Sequence, residues 1–254
     1  MPVAGYAQEY PVVSMEQELG LRIWGGVFNP SMYDMRVNVD SQNENINGLS
    51  WKGGANSSSL ELGPQGGADI SWGLFPDVRI VLAGEVRGVS NKGSFVGKGV
   101  NDGGIASRNL YLSSSGGEVG LEILLKEYEK SARILFAARA GVHVLSGSRE
   151  SWTENGPLGE FASTSRLSGT GVGGMVGLEW EMSFSERDGQ SFSPGIFILA
   201  GYRFLTFNRI EYRYHDSNGS KDSGSVRDVN GNRVAIDMSG PDVRIGLQFS
   251  IPTK

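Results

Sequence analysis

The stretch ARILFAARAGVHVLS, Ala132 to Ser146, decides the fold. Read with a period of two, Ile134, Phe136, Ala138, Ala140, Val142 and Val144 fall on one side of a strand. Arg133, Ala137, Arg139, Gly141 and His143 fall on the other. One face is apolar throughout, and the other is charged or small. A globular strand has a modal length of about 5 to 6 residues, whereas a tilted strand needs about 9 to 11 to cross a bilayer. A run of this length crosses and projects beyond.

The same alternation recurs on both sides of it. ELGLRIWGGVF sets Leu19, Leu21, Ile23 and Val27 against Arg22, Trp24 and Gly26. GADISWGLF sets Ile70, Trp72 and Leu74 against Asp69, Ser71 and Gly73. After a Pro76-Asp77 turn, Ile80, Leu82 and Val86 oppose Arg79, Glu85 and Arg87. EVGLEILL opposes Val119, Leu121, Ile123 and Leu125 to Glu118, Gly120 and Glu122. GVGGMVGLEWEMSF opposes Val172, Val176, Leu178, Trp180, Met182 and Phe184 to Gly173, Gly177, Glu179 and Glu181. PGIFILAGYRFLTF opposes Ile196, Ile198, Ala200, Tyr202 and Phe204 to Gly201 and Arg203. The last run, GPDVRIGLQFSI, opposes Val243, Ile245, Leu247, Phe249 and Ile251 to Arg244, Gly246 and Gln248.

The connections between these runs alternate. Polar, Gly/Ser/Asn-rich loops are expected over residues 29–67, 90–117, 147–170 and 210–239, the last with a hairpin extension in RIEYRY and RVAIDM. Short turns are expected at residues 75–78, at KEYEKS and at SERDGQSFS. This bookkeeping predicts an all-β protein: an eight-stranded antiparallel up-and-down transmembrane barrel with four long outer loops and three short turns. A Greek-key sandwich does not sort its connections this way. Residues 18–254 form the single barrel domain. Residues 1–17 read as an N-terminal periplasmic segment in which Ala4-Gly5-Tyr6-Ala7 has the small-residue character of a signal-peptide end.

Parity does not say which face is inside. The charged face carries Arg22, Arg79, Arg87, Arg133, Arg139, Arg203 and Arg244 with Asp69, Glu85, Glu118, Glu122, Glu179 and Glu181, and no lysine. Lys52, Lys92, Lys98, Lys126, Lys130, Lys221 and Lys254 all fall in expected loops, turns or the C-terminal tail. A solvated face uses lysine freely, whereas a confined network favours the planar, bidentate fork of arginine. Glycine among these charges suits a narrow interior. The charges, with His143 among them, are therefore placed in the lumen and the apolar face against lipid. Trp72, Trp180, Phe184, Tyr202, Phe204 and Phe249 then form an interfacial belt.

Composition closes off other classes. The 254-residue chain has no cysteine, which excludes disulfides, thiolate metal sites and cysteine catalysis. No run of about 18 apolar residues offers a transmembrane helix. A net charge of -5 and the lack of a basic block argue against nucleic acid as a partner. GKGVNDGG and SGTGVGG lack the lysine and helix of a phosphate loop, and the aspartates of DSNGSKD and RDVNGN lack the spacing of a calcium loop, so no cofactor or metal is expected.

The alternating runs, the rhythm of connections and the closing SGPDVRIGLQF resemble small bacterial outer-membrane β-barrels of the OmpA and OmpX type. The resemblance implies a bacterial outer-membrane location with periplasmic termini, contact with lipid and lipopolysaccharide, and insertion by the barrel-assembly machinery. It further implies a structural or surface-interaction role through the loops, with a narrow solute channel as the alternative. The chain departs from that pattern at its end, where Phe249 is followed by SIPTK. A third reading comes from His215, Ser217 and Asn218, whose His-x-Ser-Asn order resembles the signature of outer-membrane lipid A deacylases. There, Ser217 would be the nucleophile, His215 the base and Asn218 near the oxyanion. Against it, Asn218-Gly219 is a hairpin-turn dipeptide lying beyond the membrane-crossing part of its strand.

Overall fold

The computed structural model describes residues 15, 18–31, 40, 43, 46, 47, 51–55, 62–128, 131–185, 192–227 and 231–253. The expected N-terminal segment, residues 1–17, lies outside these residues except for Met15, as do Lys130, Lys254, most of SERDGQSFS and the centre of RDVNGN.

The described chain is almost entirely antiparallel sheet. Its strands are β1 (Glu18–Phe28), β2 (Trp51–Ala55), β3 (Gly63–Phe75), β4 (Val78–Gly97), β5 (Ile105–Tyr128) and β6 (Ala132–Leu145). They continue with β7 (Arg149–Gly156), β8 (Gly159–Ser183), β9 (Ser193–Asp216), β10 (Lys221–Ser225), β11 (Ile236–Asp237) and β12 (Gly240–Pro252). β1 pairs with both β12 and β3, and neighbours then follow through β4, β5, β6, β8 and β9 back to β12. Eight strands thus close a ring. The remaining four are short additions above it: β2 on β4, β7 between β5 and β8, and β10 and β11 on β9.

The loop expectations need correction. Residues 90–117 are mostly ladder, because β4 and β5 stay paired from Val78↔Ile123 to Val96↔Ile105 and only a short turn joins them. Residues 147–170 form the hairpin of β7 and β8. Within residues 29–67, β3 already begins at Gly63 and β2 adds a further strand. In the fourth connection RIEYRY does extend β9, but it pairs with KDSGS of β10 and not with RVAIDM. The reason is common to all four. Where a hairpin stands clear of the apolar band, its outward face becomes polar while scattered apolar residues such as Val89, Phe95, Leu110 and Leu112 turn inward, so the apolar-out, charged-in alternation vanishes although the backbone hydrogen bonds continue. Lysine placement changes accordingly: Lys52, Lys92, Lys126 and Lys221 lie on strands, each with its side chain exposed.

Side chains alternate around the ring except at bulges between Gly73 and Phe75, Leu124 and Lys126, and Thr170 and Gly171. Outward positions such as Ile23, Ile70, Leu82, Val142, Val172, Leu178 and Ile245 are exposed, while their inward neighbours are buried. On β8 the outward apolar run from Val172 to Met182 spans about 33 Å along the strand, or about 25 Å along the axis at a tilt of about 40°.

Glycines permit the closest strand approach. Gly177 of β8 faces Gly201 of β9, and a Cβ on Gly201 would lie 2.3 Å from the Val176 carbonyl oxygen and 2.8 Å from the Gly177 Cα. Gly201→Val should destabilise the ring by about 1–3 kcal/mol through overpacking. The denaturant midpoint of the folded protein in lipid should fall accordingly; an unchanged midpoint would show that this seam tolerates a side chain.

Candidate functional site

The inward positions build a stack of layers. Nearest the short turns, Arg133 of β6 bonds Glu18 at 3.0 Å and Glu127 at 3.1 Å. Above it lies a dense network. Arg22 of β1 donates to Glu122 of β5 at 3.0 Å and to Glu179 and Glu181 of β8 at 2.6 and 2.7 Å. Arg79 of β4 donates to Glu122 at 2.6 Å, to Glu179 at 3.0 Å and to Glu181. Arg139 of β6 joins Asp69 of β3 to Glu122, both at 2.8 Å. The Trp24 indole N–H donates to Asp69 at 2.9 Å.

A plate of Trp24, Ala137, Met175, Phe197 and Leu199 separates this network from a second. In the second, Arg203 of β9 donates to Asp242 and Glu85 at 3.0 Å each and to Glu118. Arg244 of β12 reaches Glu85 and Asp242 at 3.0 Å each. Arg87 bonds Glu85, and Gln65 donates to Asp242 at 2.7 Å. His143 lies between the carboxylates of Glu85 and Glu118, at 3.6 and 3.3 Å. The plate also meets the cations through its rings, with Arg22 over Phe197 at 4.8 Å and Arg244 over Trp24 at 4.1 Å. Toward the long hairpins the interior turns apolar, with Phe28, Val89, Leu110, Leu112, Leu205 and Phe207 among the residues packed there.

Every charged residue selected from the sequence, and His143, is therefore buried inside the ring. Alternation missed Asp242, Gln65 and Arg108, the last bonded to Glu150 at 2.6 Å. Asp242 was legible by parity, standing two before Arg244, but it also reads as part of a Gly-Pro-Asp turn. Trp72, Phe184 and Phe204 are exposed on the outer face, as are Trp180 and Tyr202, and Phe249 is half-buried against Phe192 with ring centroids 5.8 Å apart. Glu85, Glu118 and His143 bring ligand-type atoms within 4.8 Å of one another. Both carboxylates already accept from guanidinium groups, so the geometry there is that of an ion-pair node.

The His-x-Ser-Asn residues stand apart from this interior. His215 lies on an exposed position of β9 opposite Lys221 and Thr164. The Ser217 hydroxyl accepts from the Ala162 backbone N–H at 3.2 Å. Asp216 accepts from the backbone N–H groups of Asn218 and Ser220, both at 2.9 Å, which makes the stretch an Asx-type turn. Desolvation acts to raise the Asp216 carboxyl pKa, but the hydrogen bonds from Ser220, Tyr214 and Asn218 win and hold it below the usual aspartate range.

No family model and no curated sequence matches the chain. Among solved structures, it is similar to the outer membrane protein OprG from Pseudomonas aeruginosa, with 11% identity, 93% of this chain and 96% of that one covered, and a TM-score of 0.43. It is also similar to the outer membrane protease OmpT from Escherichia coli, with 11% identity, coverage of 92% and 95%, and a TM-score of 0.29. A third is the transport unit of the autotransporter AIDA-I from Escherichia coli, with 10% identity, coverage of 100% and 93%, and a TM-score of 0.19.

Glu122 is the node that three arginines share. Glu122→Ala should cost about 3–5 kcal/mol, because it leaves buried cations undercompensated. Asp222→Ala, which removes an exposed partner of the Tyr212 hydroxyl, should stay within about 0.5 kcal/mol. Equal costs in denaturant titrations of the two variants would contradict a tightly coupled interior.

Proposed function

We propose that the protein is a small outer-membrane β-barrel whose lumen is closed by its own charge network, and that it acts as a structural or surface-interaction protein through the hairpins opposite its termini. One observation carries this reading: the outer face of the ring is apolar over a height of about 25 Å, the band a membrane barrel presents to lipid, while the charges are buried inside. Exposed outward residues include Ile23, Ile70, Leu82, Val119, Val172, Leu178 and Ile245. Apolar surface on that scale far exceeds the few hundred Å² that soluble monomers leave exposed.

On this reading the aromatic residues form two girdles. Trp72, Trp180, Phe184 and Phe249 mark the turn-side interface and Tyr202 and Phe204 the hairpin side. Both termini lie on the periplasmic side, the barrel-assembly machinery is the partner for insertion, and lipid and lipopolysaccharide surround the wall. With eight strands the interior is only wide enough for side chains, so the charge networks and the apolar cluster above them act as a plug and not as a conduit. The His215–Ser217 turn is a connection and not an active site, since the serine hydroxyl is already engaged by Ala162.

The test is reconstitution. The purified chain should require detergent, insert into vesicles with protease-protected strands, and give no stable large single-channel currents. Monodisperse behaviour without detergent would overturn the membrane reading, and sustained conductance would overturn the plug. Lipid A from membranes carrying the protein should be unchanged, with or without Ser217→Ala. Loss of an acyl chain that depends on Ser217 would make the protein an enzyme.

A further inference from the structure

Above the apolar band, the outer face of the β7–β8–β9 sector changes character. Arg149 of β7 stands directly opposite Arg166 of β8, and Arg166 stands directly opposite Arg213 of β9. All three are exposed on the face that continues the apolar wall. Side chains directly opposite one another have Cβ atoms about 4.5–5.5 Å apart, and like charges so placed destabilise a sheet. None of the three side chains makes a hydrogen bond or ion pair with a described residue, whereas the guanidinium of every interior arginine of the ring does.

The outward neighbours do little to offset this repulsion. Tyr111 and Ser223 end the arginines' own rung, and the nearest rungs carry Ser151, Thr164 and Ser168, with Glu211 the single carboxylate among these neighbours. Arg209 lies one rung below Glu211, opposite Thr170, and Lys92, His215 and Lys221 lie one rung above the arginines. The sector is thus strongly cationic. Below it, a bulge leaves Asn208 without a ladder partner between Thr170↔Arg209 and Gly171↔Phe207. A cavity of about 680 Å³ opens there, lined by Val144, Thr170, Val172, Asn208, Arg209 and Glu211 among others. Its apolar side is continuous with the band, and its polar side leads up to the arginines.

We infer that this face binds lipopolysaccharide of the surrounding leaflet, with acyl chains against Val144 and Val172, a phosphate at Arg209, and the anionic core sugars on Arg149, Arg166 and Arg213. The spacing fits such an occupant. Arg166 lies four residues beyond Thr170, about 13 Å along the strand, too far for a headgroup at the acyl boundary but within reach of a charged saccharide above it. Bound anions cancel the repulsion that the unpartnered ladder otherwise carries. The inference rests on the transmembrane reading, since only an inserted barrel presents this face to a leaflet.

The experiment uses the full chain in zwitterionic lipid discs, with binding of a fluorescent lipopolysaccharide that carries a phosphorylated core compared with its dephosphorylated form and with lipid A alone. The intact chain should prefer the phosphorylated core form, and that preference should weaken as salt is raised. Replacing one ladder arginine by glutamine should weaken binding about fivefold, and replacing all three on the order of a hundredfold, the scale of basic side chains at an anionic lipid surface. Lys126→Gln, on an exposed site at the turn side, should change nothing. A folded, inserted triple variant that binds like the intact chain, or an intact chain indifferent to dephosphorylation, would overturn this inference alone. Failure of the intact chain to enter any bilayer would overturn the transmembrane reading and this inference with it.

Discussion

A charge enclosed by eight strands is best neutralised by another enclosed charge, and the rest of this structure depends on that constraint. Arg22 on β1 finds its carboxylates on β5 and β8, Arg79 on β4 shares them, and Arg203 on β9 draws on β4, β5 and β12. Each guanidinium therefore ties distant parts of the ring together. Slipping any one strand by a single residue would turn its arginines toward the outer face and its leucines inward. Buried ion pairs contribute little net stability relative to well-packed apolar groups, while breaking one is costly. We therefore assign these networks to the specification of strand register and ring closure.

The interior is layered. The plate built on Trp24, Phe197 and Met175 lies between two charge networks, and its rings face cations on both sides. Over the upper network the packing becomes hydrophobic, with Phe28, Leu112 and Phe207 drawn from β1, β5 and β9. This sequence of layers gives the projecting β7–β8 and β9–β10 hairpins a rigid base. Their ladders continue those of the ring without interruption between β8 and β9, apart from the bulge at Thr170/Gly171.

The sequence made the ring strands legible wherever one face was apolar and the other charged, and β6 is the clearest case. It failed where chemistry and parity part company. Phe197 and Leu199 are apolar yet point inward because the plate between the charge networks needs bulk, and Leu135 is buried inward opposite Glu179; a period-two reading that expects a charged or small inward face passes over all three. Val81 is hidden in the same way, whereas Leu110 and Leu112 are hidden because they sit in residues 90–117, whose Ser, Gly and Asn content resembles a loop. The outer parts of β4, β5, β8 and β9 resemble loops in sequence because Ser, Gly, Asn and Thr crowd their outward face, and the apolar residues that turn inward there are too scattered to set a pattern. The cationic row of Arg149, Arg166 and Arg213 was unreadable for a different reason: only the cross-strand register brings residues so far apart in the chain side by side.

The most direct test of the account is where water ends along β8. The chain has no cysteine, so single cysteines carrying a nitroxide label can be placed in turn at the outward positions Thr164, Ser168, Val172, Val176, Leu178 and Met182 of the protein in lipid vesicles. Collisions with oxygen, which partitions into lipid, should dominate at Val172, Val176 and Leu178. Collisions with a water-soluble nickel reagent should dominate at Thr164 and Ser168, with the crossover between Ser168 and Val172. Nickel access along the whole run, with no crossover, would contradict an apolar face held against lipid around a charged interior.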